Sequence, residues 1–160
     1  MASNLILGAK GFGKLLLGYE RNANQVKTRA FTVAATETDG ILPGDLLAVT
    51  GPTQVYKKLA SASDKIAGVA LATNVKVDPL FPQSEDGVKF APGDKGAAVI
   101  YGDVAVKLYG TAPQEGDKVY YNLTQKAFTK DSTGGNVEFA GARFTGETEG
   151  DVTVIFIQYI

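Results

Sequence analysis

Leu42-Pro43-Gly44-Asp45-Leu46-Leu47-Ala48-Val49 is a turn that feeds directly into an apolar run. Pro presets φ for the first central position of a turn, and the Gly after it supplies the positive φ that other residues resist. The residues that follow suit a pleated, half-buried surface. The device recurs three times: Ala91-Pro92-Gly93-Asp94 before residues 97–101, Gln114-Glu115-Gly116-Asp117 before 119–123, and Thr148-Glu149-Gly150-Asp151 before 152–159. The glycine intervals of 49, 23 and 34 residues are too uneven for a solenoid. One hairpin device is reused in a compact all-β domain, either a small β-sandwich or a jelly-roll-like β-barrel.

Outward from these turns, further strands are expected at residues 29–34, 55–59 and 104–108. In the last of these Val104, Val106 and Leu108 alternate with Ala105 and Lys107, a clear period of two. The apolar stretch 66–77 leads into a polar loop at 78–87 that holds Pro79 and Pro82. Residues 152–159 are apolar on both faces, which places them in the middle of a two-layer core or under another subunit. Residues 1–30 differ from the rest. Gly8, Gly11, Gly13 and Gly18 interrupt short apolar groups, and no period survives. They are read as an extended N-terminal arm, and residues 31–160 as the β-domain.

The chain of 160 residues contains no Cys and no His. Disulfides, thiol chemistry and Cys-ligated metal are thereby excluded. The commonest general base and the commonest transition-metal ligand are also missing. No catalytic residue, cofactor or metal ligand is expected, and no run of ~20 apolar residues marks a membrane span. The apolar start carries no basic lead and is interrupted by Lys10 and Lys14, so it does not read as an export signal.

Charge is uneven. Residues 1–30 carry Lys10, Lys14, Arg21, Lys27 and Arg29 against Glu20, a net of +4, while the other 130 residues carry 11 basic and 16 acidic side chains, a net of −5. A basic arm on an acidic body favours electrostatic docking onto a protein neighbour, including a copy of itself. The cations are too thinly spread for a nucleic-acid face.

Three motifs are discounted. Gly8-Ala9-Lys10-Gly11-Phe12-Gly13-Lys14 fits part of a phosphate-binding loop, but Leu15 stands where the magnesium-binding hydroxyl belongs. Asp45, Asp94, Asp117 and Asp151 stand singly, without the ligand density a calcium loop needs, so each is expected to bond its own turn. The seven tyrosines are scattered along different strands, which favours packing over a stacking platform.

The ordered series is informative as a whole. It runs Ile41-Leu42-Pro43-Gly44-Asp45, Lys65-Ile66-Ala67-Gly68-Val69-Ala70 and Phe90-Ala91-Pro92-Gly93-Asp94, then Tyr101-Gly102-Asp103-Val104-Ala105-Val106. Glu115-Gly116-Asp117-Lys118-Val119-Tyr120-Tyr121, Ala142-Arg143-Phe144-Thr145 and Glu149-Gly150-Asp151-Val152-Thr153-Val154 complete it. Over residues 40–157 this order resembles the structural cement, or head-decoration, proteins of tailed bacteriophages. The resemblance implies a non-enzymatic β-domain on the exterior of the virion capsid, assembled in the bacterial cytoplasm. It would act as a dimer or trimer that bridges neighbouring major capsid protein subunits and stabilises the head, with neither nucleic acid nor membrane as partner. The alternatives are another virion component, such as a tail-tube or baseplate β-domain, or a carbohydrate- or surface-binding module. The expected partner contacts lie in and beside the arm: Lys10, Phe12, Lys14, Leu16, Tyr19, Arg21, Lys27 and Arg29, with Leu15 and Leu17 as further apolar anchors.

Overall fold

A computed structural model describes residues 17–18, 26–72 and 89–158. Among them are nine strands: β1 (Lys27–Val33), β2 (Leu46–Val49), β3 (Val55–Lys58), β4 (Ile66–Ala70), β5 (Lys95–Lys107), β6 (Lys118–Asn122), β7 (Ala127–Thr129), β8 (Val137–Glu149) and β9 (Val152–Ile157). The all-β expectation holds, and of the two architectures the pairing shows the barrel.

Five strands close in the order β1-β3-β2-β4-β5, because β1 pairs with β3 on one side and β5 on the other. The β1–β3 pair is parallel, with Thr32 opposite Val55, and the other pairs of the ring are antiparallel. The interior is filled by Phe31, Val33, Ile41, Leu47, Tyr56, Ala67, Ala70, Phe90 and Ala98. Phe31 stacks on Tyr56 at 5.5 Å and meets Phe90 edge-on at 6.3 Å. Its ring lies over Gly96, its cross-strand partner, so close that a Cβ there would come within 2.9 Å of Phe31 Cζ.

β5 is the hinge of the architecture. Its first half pairs with β1 and β4 in the barrel, up to Tyr101 opposite Lys27. From Gly102, opposite Ile157, it pairs with β9 instead. Residues 97–101 and 104–108, expected as two strands, thus belong largely to one continuous element. Beyond β9 the order continues β8-β6-β7. The sheet curls until β7 returns to the end of β5: Leu108 bridges Phe128, and Tyr109 N–H donates to Phe128 O at 2.8 Å.

A second core lies between this curled sheet and the outer wall of the barrel. Val104, Val106, Val119, Tyr121, Phe128, Phe139, Phe144, Ile155 and Ile157 meet Leu46, Ala48, Val69 and Val99 there. β2 is therefore apolar on both faces, with Leu46 in the second core and Leu47 in the barrel. Each fully buried Phe, Leu or Val contributes about 1.5–3 kcal/mol over its exposed state. β9 lies between β5 and β8 with Val154 and Ile155 both buried, so its two apolar faces are explained within one molecule.

Three of the Gly-Asp turns share one geometry. Gly44, Gly93 and Gly116 have φ of +89°, +85° and +88°. In each the Asp N–H donates to the carbonyl three residues back, on Leu42, Ala91 or Gln114. The Asp carboxylate in turn accepts the N–H of that same residue, at 2.8, 2.7 and 2.9 Å. The fourth differs. Glu149 pairs with Val152, which leaves Gly150-Asp151 as the two-residue loop of the β8–β9 hairpin.

Candidate functional site

The expected contact residues fall on both sides of what the structure describes. Lys10, Phe12, Lys14, Leu16, Tyr19 and Arg21 lie outside the described residues, as do Leu15 and the glycine-rich stretch 8–14. Lys27 and Arg29 are exposed in the first half of β1, where residues 27–30 are open to solvent on both faces. Among the described strands, this half of β1 pairs with β5 alone.

Leu17 and Gly18 show where the N-terminal stretch meets the body. Gly18 N–H donates to Ala105 O in β5 at 2.7 Å, and Gly18 O accepts Ala72 N–H at 2.9 Å. The φ of Gly18 is +75°, and a Cβ on it would lie 2.5 Å from Pro43 Cβ and 2.9 Å from Gly44 N. Only glycine fits this notch without strain. The first Gly-Asp turn is thus a turn and also one wall of the seat.

Beside the seat opens a groove of about 390 Å³. One wall is apolar, formed by Leu17, Leu42 and Pro43, and Lys58, Lys89, Lys107 and Lys126 surround it together with Asp39. Lys58 is held by Glu37, which accepts its ammonium at 3.4 Å and its backbone N–H at 3.0 Å. Among the described residues no carboxylate lies within ion-pair distance of Lys89, Lys107 or Lys126. Asp45 forms part of the floor. Burial pushes its carboxyl up from the usual range, partly offset by the Leu42 N–H it accepts and by Lys58 and Lys126. Burial also pushes the Tyr121 phenol up, with the Asp45 charge adding to the shift, so the floor adjoins the second core.

The groove was not legible in the sequence. Its lysines come from β3, from the residue before Phe90, from the end of β5 and from the β6–β7 turn. Nothing in one dimension brings them together, and the surrounding 130 residues read as acidic. Among the tyrosines, Tyr56 and Tyr121 are buried in the two cores, Tyr101 packs edge-on against Phe156 at 5.4 Å, and Tyr109 is exposed. No three His, Cys, Asp or Glu side chains among the described residues converge on a metal-sized space.

Three comparisons bear on these surfaces. A family model described as structural cement protein (E217 gp24/Pam3 gp6) matches residues 16–158, from the root of the arm to the end of β9. A chain from the solved capsid of Myoviridae phage XM1 superposes with a TM-score of 0.67 at 21% identity, over 90% of each chain, which shows a shared fold. No curated protein matches the sequence.

Proposed function

The chain belongs to the phage structural cement protein family, and from that membership we propose that it binds the outer surface of the assembled capsid and links neighbouring major capsid protein subunits, stabilising the head. The match across residues 16–158 is the observation that carries the reading. The doubly cored body suits a non-enzymatic role that requires shape to be kept under load. Many copies of a modest contact become effectively permanent when several are linked on one lattice. The chain would act there as a dimer or trimer.

The arm is proposed as the main contact. Lys10, Lys14, Arg21, Lys27 and Arg29 supply charge and Phe12, Leu16 and Tyr19 supply apolar anchors, in a stretch of net charge +4 tethered at Gly18. The test is to mix the purified chain with heads that lack it and count copies by quantitative mass spectrometry, then heat the heads. Near-stoichiometric binding to the major capsid protein with delayed head rupture is expected. Absence of binding, or only a few copies per particle, refutes lattice-wide cementing. Removal of residues 2–16, which leaves the Gly18 seat in place, is expected to reduce occupancy while the thermal midpoint of the free protein stays unchanged. Unchanged occupancy would remove residues 2–16, with Lys10, Phe12, Lys14 and Leu16, from the interface.

A further inference from the structure

We propose that the lysine-ringed groove beside Gly18 receives an acidic segment of the capsid subunit on which the chain sits. The inference rests on the cement reading and adds to it a specific recess and the chemistry of its occupant.

Charge is the first support. The 130 residues after the arm carry a net of −5 with 11 basic side chains, and four of those 11 line this one recess against two carboxylates, Asp39 and Asp45. A positive pocket in a negative body selects for a short anionic group, while a long polyanion is repelled by the surroundings. Lys58 is committed to Glu37, but Lys89, Lys107 and Lys126 have no ion-pair partner among the described residues. A lysine ammonium is a mobile point charge with three donors, suited to side-chain carboxylates that arrive without fixed orientation.

Shape is the second support. A space of about 390 Å³ holds a few side chains. Its apolar wall of Leu17, Leu42 and Pro43 offers a surface for the carbon skeleton of the same segment. Leu17 lines the groove and directly precedes the Gly18 seat, so the groove lies beside the root of the arm.

The experiment compares three full-length proteins on heads that lack the chain. These are the wild type, the groove variant Lys89→Glu/Lys107→Glu/Lys126→Glu, and a control, Lys65→Glu/Lys95→Glu/Lys130→Glu, at exposed lysines outside the groove with the same change in net charge. The groove variant is expected to bind about tenfold or more weakly and to show a weaker salt dependence than the wild type, the remainder coming from the arm, while the control stays within about threefold. Equal losses in both variants would mean general charge attraction, and no loss in either would mean an idle groove; each overturns the proposal. A change in sedimentation of the free groove variant alone would identify a second copy as occupant and overturn it as stated. Failure of the wild type to bind heads would refute the cement reading itself, an outcome distinct from these. If the groove variant melts early, a Lys→Gln set at the same positions gives the same comparison with charge removed and side-chain length kept.

Discussion

Asp45, Asp94 and Asp117 hold the same turn by the same bond but sit in different surroundings. At Asp117 the carboxylate accepts the Gln114 N–H at 2.9 Å near the surface, so Asp117→Ala is expected to cost about 1 kcal/mol in urea unfolding. Asp45 carries an opposing effect, because burial raises its pKa above 3.8. The fold therefore favours its protonated form. Its contribution to stability is full below 3.8 and is lost as pH rises through the folded value. Asp45→Asn keeps an acceptor for Leu42 N–H and removes the buried charge. Its unfolding free energy relative to wild type is expected to be neutral or favourable at pH 7 and to decline toward pH 4, as read from paired urea titrations. A large loss at pH 7 would show that the charge itself stabilises the groove floor. Gly18→Ala places a methyl against Pro43 in a left-handed backbone and is expected to cost about 1–3 kcal/mol, with faster proteolysis N-terminal to the seat. The aspartates were readable because their partners lie three residues away. Gly18 was not, because its constraint comes from Pro43 and Ala105, far along the chain.

At the scale of elements, turn chemistry predicted where β2, β5 and β6 begin, since each follows a Gly-Asp turn directly. It misled at Gly102-Asp103, which resembles those turns and yet lies inside β5, where the strand exchanges one set of neighbours for another. β7 and β8 went unread for a different reason. β7 has three residues, too few for a period, and β8 is interrupted by Gly141 and Gly146 with a register shift before Thr148. Burial nevertheless makes β7 important: Phe128 meets Tyr121 edge-on at 5.0 Å and is bridged to Leu108. Phe128→Ala is expected to cost about 3–5 kcal/mol, since a large buried ring leaves a cavity that short strands close poorly. Because β5 belongs to both the barrel and the curled sheet, calorimetry should show a single unfolding transition, with calorimetric and van't Hoff enthalpies in agreement. Two resolved transitions would mean that the cores are energetically separate.

For the whole molecule, the sequence carried the β architecture and the family resemblance, because both are written in ordered local motifs. The seat and the groove depend on the curled sheet packing against the barrel, which brings residues from β3, the end of β5 and the β6–β7 turn to one place. No composition or spacing reports such a meeting. The continuity of β5 has a mechanical consequence. Drawn lengthwise against its neighbours, the strand passes load to β1 and β4 in one half and to β9 in the other, with many backbone hydrogen bonds strained together in shear. Drawn sideways, the same bonds break in succession, as a zipper opens. The molecule is accordingly stiff along one axis and weak across it. Force spectroscopy with handles at residues 107 and 157, at opposite ends of the β5–β9 ladder, should record a higher rupture force than handles at residues 107 and 152, at the same end of it. The orientation in which it is mounted then decides how much strain it can bear.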